Sequence, residues 1–354
     1  MRQKQYGCRY KNIINVILSL VLFILMVTGC GTREENVNVQ QKENDDKIQI
    51  GMSFDSFVIE RWQRDRDVFV ATARDLGAEV NVQTANGEVE EQISQIEYFI
   101  DKGADVIVIV PVDADSLSEV IAKAKKADIK VMCYDRVVKN SGADLYVSFD
   151  NEKVGDLMGE SIYGKIGKSK KVIQICGPET DYNVEQVDNG FLSQTLKNAG
   201  HVIGKCHCDG WKSEIAYDYI NDNIDLVKKA DGIMCGNDDL AGVVVRALSE
   251  LRMADKIVVV GQDADLEGCQ RIVEGTQEMT VYKPVEKLAK TGAEYAVMLA
   301  KGQDIKTPTY FNDGKYDIPF VKLEPISVTK DNIDETIISG GYHLEEDVYI
   351  NVTR

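Results

Sequence analysis

The chain has 354 residues, 44% of them hydrophobic and 28% charged, a balance that allows two globular domains, each with its own core. Its formal charge is −17, from 58 acidic against 41 basic residues, which argues against nucleic acid and anionic lipid as partners.

Four basic residues, Arg2, Lys4, Arg9 and Lys11, precede an apolar run from Ile13 to Val27. That run is shorter than the roughly 20 residues a membrane span needs and suits the core of a signal peptide. Val27-Thr28-Gly29-Cys30 follows and resembles a bacterial lipobox, in which the cysteine is lipidated and becomes the new N-terminus. Residues 1–29 therefore read as a lipoprotein leader and Cys30 as the lipid anchor; an uncleaved anchor is the alternative. Either reading places the remainder outside the cytoplasm, on the membrane's outer face. Residues 30–46 are polar, charged and nearly free of apolar groups, so they form a tether rather than a core. Loss of the four leader cations from the 41 leaves 37 basic residues against 58 acidic ones, a net of −21.

From Lys47 onward strand and helix signals alternate. Ile48–Phe54 reads as a strand and Glu60–Leu76 as a helix closed by Gly77; residues 79–83 and Glu90–Lys102 repeat the pattern, closed by Gly103. Asp105–Val110 is nearly continuous in apolar residues, as in a parallel strand buried on both faces. Helix Ser116–Ala127 and strand Ile129–Tyr134 follow. Further strands are expected at Val172–Cys176, Val202–Cys208, Gly232–Cys235 and Ile257–Val260, with helices at Lys153–Ile166, Val184–Asn198, Glu214–Lys228 and Leu240–Leu251. Repeated βα units require right-handed crossovers and a parallel sheet covered on both faces. One sheet of that many strands would be unusually wide, so the chain reads as an α/β protein of two doubly wound parallel-sheet lobes. The first would hold 47–150 plus about 283–306, and the second 151–282 plus about 307–330. A multi-strand hinge would join them, and 331–354 would form a C-terminal extension.

Ligands of open α/β sheets bind beyond the carboxyl ends of the strands. The residues just past those ends are Asp55 with Arg61-Trp62, Asp135-Arg136, Asp181 with Asn183, Asp209-Gly210-Trp211, Asn237-Asp238, Gln262-Asp263 and Lys283. Tryptophan rings can cover the C–H faces of a sugar, while carboxylates, amides and guanidinium groups each engage two adjacent hydroxyls. The six cysteines after Cys30 form no disulfide framework. Cys206-His207-Cys208 alone lacks the further ligands of a tetrahedral metal site, so neither metal nor cofactor is expected.

Several longer stretches carry a family resemblance: residues 60–67 (ERWQRDRD), Tyr134-Asp135-Arg136, residues 148–155 (SFDNEKVG), Asp209-Gly210-Trp211, residues 261–265 (GQDAD) and residues 279–284 (MTVYKP). In this order they resemble the D-xylose-binding proteins of bacterial ABC importers, which have the type I periplasmic binding protein fold. The resemblance implies a sugar site lined by Arg61, Trp62, Asp135, Arg136, Asn183, Trp211, Asn237, Asp263 and Lys283. One position departs: Asp188 stands where that pattern has an arginine, which makes it a possible sugar contact and leaves the sugar itself open.

Two partners fit such a protein, a membrane permease of an ABC importer or the extracytoplasmic part of a sensor kinase. An enzyme, such as a glycosidase using Asp135 and Asp263, fits poorly. Arg136 and Lys283 would hold those carboxylates ionised, whereas a general acid needs a raised pKa.

Overall fold

The computed structural model describes residues 47–352. The leader, Cys30 and the tether lie outside them. No helix among the described residues is long and apolar enough to cross a membrane.

Two sheets organise residues 48–352. In the first lobe, β1 (Ile48–Phe54), β2 (Ala78–Thr84), β3 (Val106–Ile109), β4 (Lys130–Tyr134) and β5 (Leu145–Phe149) alternate with α1 (Arg61–Asp75), α2 (Val89–Asp101) and α3 (Ser118–Lys126). Two later strands, β11 (Tyr310–Asn312) and β12 (Asp317–Leu323), complete a seven-stranded sheet of order β11-β12-β5-β4-β3-β1-β2. Every residue of β3 is buried, because helices cover both faces.

The second lobe contains β6 (Lys171–Cys176), β7 (His201–His207), β8 (Gly232–Cys235), β9 (Val258–Gln262), β10 (Met279–Tyr282) and β13 (Ile326–Thr329). They form a six-stranded sheet of order β13-β10-β9-β8-β6-β7. Its helices are α4 (Asn151–Ile166), α5 (Tyr182–Lys197), α6 (Ser213–Asp222), α7 (Ile224–Val227), α8 (Asp238–Glu250) and α9 (Leu266–Glu274). Helix α10 (Val285–Ala300) returns to the first lobe and packs on α1. The single helix expected over Glu214–Lys228 is broken at Asn223, whose backbone leaves the helical region.

The expected placement of 307–330 in the second lobe needs correction. After α10 the chain is still on the first lobe, and β12 pairs parallel with β5 from Phe320↔Tyr146 to Leu323↔Phe149. Only β13 reaches the second sheet, antiparallel to β10. Among the described residues three crossings therefore join the lobes, at Asp150, at Lys283-Pro284 and at Glu324-Pro325. Two of them are tied together: Asp150 N–H donates to the Leu323 carbonyl at 2.9 Å, and Lys322 Nζ lies 2.6 Å from Asp150 Oδ2. Residues beyond β13, including the short α11 (Glu345–Val348), pack Ile333, Ile337, Tyr342 and Val348 against Cys269, Ile272 and Val328 of the second lobe.

Helices α4 and α5 approach very closely. A Cβ on Gly155 would lie 1.9 Å from the Val187 carbonyl oxygen, and one on Gly190 would lie 1.9 Å from that of Glu152. These two reciprocal glycines let the helix after the first crossing fix α5, which carries Asn183, Val184 and Val187 into the space between the lobes.

Candidate functional site between the lobes

Strand ends from both sheets meet around a cavity between the lobes. From the first lobe come Arg61 and Trp62 at the start of α1 and Asp135-Arg136 after β4; from the second come Asn183, Trp211, Asp263 and Lys283. Eight of the nine residues expected to line one site are thus brought together. Asn237 is the exception: its Oδ1 caps α8 by accepting the Leu240 N–H at 2.9 Å, and the side chain lies in a neighbouring crevice. Gly236 lines the cavity in its place.

Asp188 lies outside the cavity wall. Its carboxylate accepts from Gln174 Nε2 on β6 and pairs with Lys205 Nζ on β7 at 2.8 Å. On α5 the cavity is lined instead by Asn183, Val184 and Val187. Residues Asp181 and Gln262 also line it, and both are legible as residues past strand ends. Apolar Val184, Val187 and Met234 line it without any sequence signal that separates them from core.

The cationic side of the site is held rigid by buried partners. The Arg61 Nη2 atom lies 2.9 Å from Asp135 Oδ2 and its Nε 3.0 Å from Asp65 Oδ2. Asp65 in turn accepts the Tyr134 hydroxyl at 2.5 Å. The Arg61 guanidinium stands 4.5 Å from the Trp62 ring centre and that of Arg136 5.6 Å, so two cations flank one indole. Burial alone would push the Asp135 carboxyl up, but Arg61, Lys283 and Arg136 outweigh it and hold the group below the ordinary carboxylate range. Asp135 is therefore a permanent acceptor.

The lobes touch across the cavity. Arg136 Nε lies 2.7 Å from Asp181 Oδ2, Asn183 Nδ2 donates to the Asp135 carbonyl at 3.1 Å, and Ala114 N–H donates to the Thr180 carbonyl at 3.0 Å. Trp211 takes a positive φ of 59°, rare for a bulky residue. Its ring is seated on backbone: a Cβ on Gly177 would lie 2.4 Å from the indole, and one on Gly236 3.2 Å from it.

Four buried polar atoms of residues that line the cavity have no partner among the described residues: Arg61 Nη1, Trp62 Nε1, Trp211 Nε1 and Gln262 Oε1. Each would cost about 1–3 kcal/mol if left so, which a ligand offering both acceptors and donors recovers. Two indoles, charged groups already neutralised in pairs, and unsatisfied donors outnumbering acceptors suit a neutral polyhydroxylated ring.

Comparisons with known proteins agree with that chemistry. Residues 50–304 match the family model described as periplasmic binding protein domain. The D-xylose-binding periplasmic protein of Escherichia coli (strain K12) is 40% identical over 340 residues, covering 94% of this chain and 99% of that protein. Its namesake from Haemophilus influenzae is 42% identical over 307 residues, covering 85% and 92%. Among solved structures, an ABC transporter solute binding protein from Clostridium phytofermentans with bound β-D-glucose superposes with a TM-score of 0.77 at 27% identity, covering 85% of this chain and 99% of its own.

Proposed function

The chain belongs to the periplasmic binding protein domain family, and on that premise we propose that it captures D-xylose or a closely related aldose and hands it to an ABC importer. It is a binding protein and not an enzyme. Asp135 is a cavity carboxylate that neighbouring cations hold ionised, so it accepts hydrogen bonds and does not serve as a general acid.

One observation carries the sugar reading: the residues that bear these four unpartnered polar atoms line one cavity from both lobes. Arg61 Nη1 and the two indole N–H groups would donate to hydroxyl or ring oxygens, and Gln262 Oε1 would accept from a hydroxyl. Asp135 and Asp263 would accept further hydroxyls, and the faces of Trp62 and Trp211 would cover the ring's C–H surfaces. Arg61, Trp62, Asp135, Arg136, Asn183, Trp211, Asp263 and Lys283 thus form the proposed sugar site, with Asp181 and Gln262 added. Asn237 acts behind it, through the backbone of Gly236.

Delivery to an importer is preferred to presentation to a sensor kinase because the solved neighbour above is an ABC transporter solute binding protein. The protein works outside the cytoplasm, held to the membrane by a lipid on Cys30. Calorimetric titration of residues 31–354 with a panel of pentoses and hexoses tests the reading. Tightest binding to D-xylose or another aldopentose is expected. No heat with any aldose would sink it.

A further inference from the structure

The residues beyond β13 do more than cover the second lobe. Tyr342 is buried there, with its ring 4.7 Å from that of Tyr282, the last residue before Lys283 and the second crossing. Two contacts carry it to the other lobe. Arg64, one helical turn after Arg61 on α1, lays its guanidinium 4.4 Å from the Tyr342 ring centre and donates from Nη1 to the Tyr342 carbonyl at 3.0 Å. The next residue, His343, sets its Nε2 atom 2.8 Å from the carbonyl oxygen of Ala264, the neighbour of Asp263. A carbonyl can only accept, so Nε2 carries the proton.

The pair Tyr342-His343 therefore holds both walls of the cavity at once. One arm ends on the helix that aims Arg61 and Trp62. The other ends on the loop that aims Asp263, where the backbone takes positive φ at Asp263 and Ala264, 95° and 54°, and needs an external hold to stay there. We infer that Tyr342 and His343 are positioning residues for sugar binding, acting as a latch that joins α1 to the Asp263 loop in the closed protein. The inference rests on the sugar-binding reading above. It predicts a kinetic signature: a contact between lobes that exists only when they meet slows release and leaves capture unchanged.

The test is stopped-flow tryptophan fluorescence on the full chain, with the aldose that the parent binds most tightly. Arg64→Ala removes one arm from a half-buried position that touches no sugar. It should raise koff about fivefold or more with kon within about twofold of the parent, and Arg64→Lys should recover part of the loss. Tyr342→Phe keeps ring and carbonyl and should match the parent, whereas Tyr342→Ala should resemble Arg64→Ala. A koff for Arg64→Ala within about twofold of the parent overturns the latch, as does a Tyr342→Phe variant as impaired as Tyr342→Ala. Should the parent bind no aldose, the sugar reading fails separately. Amide exchange across residues 262–265 then decides: faster exchange in Tyr342→Ala upholds the positioning role, and unchanged exchange overturns it.

Discussion

Asp135 and Asp263 stand at matching points of the two lobes. Each follows the strand next to its lobe's β5 or β10, takes a positive φ of 62° or 95°, and donates its N–H to a carbonyl of that neighbouring strand, Val147 or Val281, at 2.8 Å. Each also meets a cation, Asp135 with Arg61 Nη2 at 2.9 Å and Asp263 with Lys283 Nζ at 2.7 Å. The duplicated fold thus presents one acceptor from each side of the cavity.

Asn tolerates left-handed backbone better than most residues, so Asp→Asn changes test the charge rather than the turn. Asp135→Asn leaves Arg61 buried with Asp65 as its remaining anion and should cost on the order of 3 kcal/mol in stability. Sugar affinity should fall about tenfold or more in both Asp135→Asn and Asp263→Asn. Urea unfolding and calorimetry read the two effects. Parent-like affinity in both variants would show that neither carboxylate faces the sugar.

Trp211→Ala should weaken sugar binding at least about tenfold in a protein that still folds but is less stable, since the buried ring packs on glycine backbone beside the cavity. Gly177→Ala is the complementary probe. Its new Cβ would sit 2.4 Å from the indole, so the ring must shift and affinity must drop without loss of any sugar-contacting side chain. Equal affinity in parent and both variants would remove Trp211 from the site.

Asp238 sits beneath this region, fully enclosed, with Gln277 Nε2 on Oδ1 at 2.7 Å and Thr280 Oγ1 on Oδ2 at 2.7 Å. Burial pushes its pKa from 3.8 to about 7, against the pull of Arg271. The folded value is raised above the unfolded one. Its contribution is therefore fully present below the unfolded value near 3.8 and is lost as pH rises toward about 7, levelling off beyond. Parent stability should fall through that window relative to Asp238→Asn, which has no proton to lose. A stability difference between the two proteins that is constant from about pH 4 to 8 contradicts the assignment.

Cys30→Ala should release the protein from the membrane or block its processing. Cell fractionation checks it, and a variant still processed and anchored would remove the lipoprotein reading.

How much of this was legible depends on whether the signal is local. The β3 run is apolar on every residue because both faces are covered, and the sequence says so directly. Charged and aromatic residues past strand ends were equally readable, since strand direction alone decides which end forms the cleft. Side chains that spend their polar atoms on neighbours were not. Asn237 follows a strand as the pattern requires, yet its amide caps α8. Nor does periodicity report sheet order, so the placement of β11 and β12 in the first sheet depended on pairing with β5, more than 150 residues earlier. The role of Tyr342-His343 was hidden for the same reason, since both partners, Arg64 and Ala264, are far away in sequence.

Asp188 brings these points together. The resemblance sets an arginine where this chain has a carboxylate, and a carboxylate at the sugar would reverse the hydrogen-bond demand on one edge of the ring. Here α5 turns Asp188 toward β6 and β7, where Gln174 and Lys205 satisfy both its oxygens. The Lys205 side chain is 36% exposed, so the ion pair is screened and contributes at most about 1 kcal/mol. Asp188→Ala should lower stability by about 1–3 kcal/mol, mainly because it orphans the buried Gln174 amide, and leave the order of preference among aldoses unchanged, each affinity staying within about 0.5 kcal/mol of the parent. Asp188→Arg should cost more stability, because it places a cation beside Lys205, and should still not alter preference. Titration of both variants with several aldoses decides the matter. A shift in preference of about 1 kcal/mol or more between two sugars would mean that α5 turns in solution to bring position 188 to the ligand.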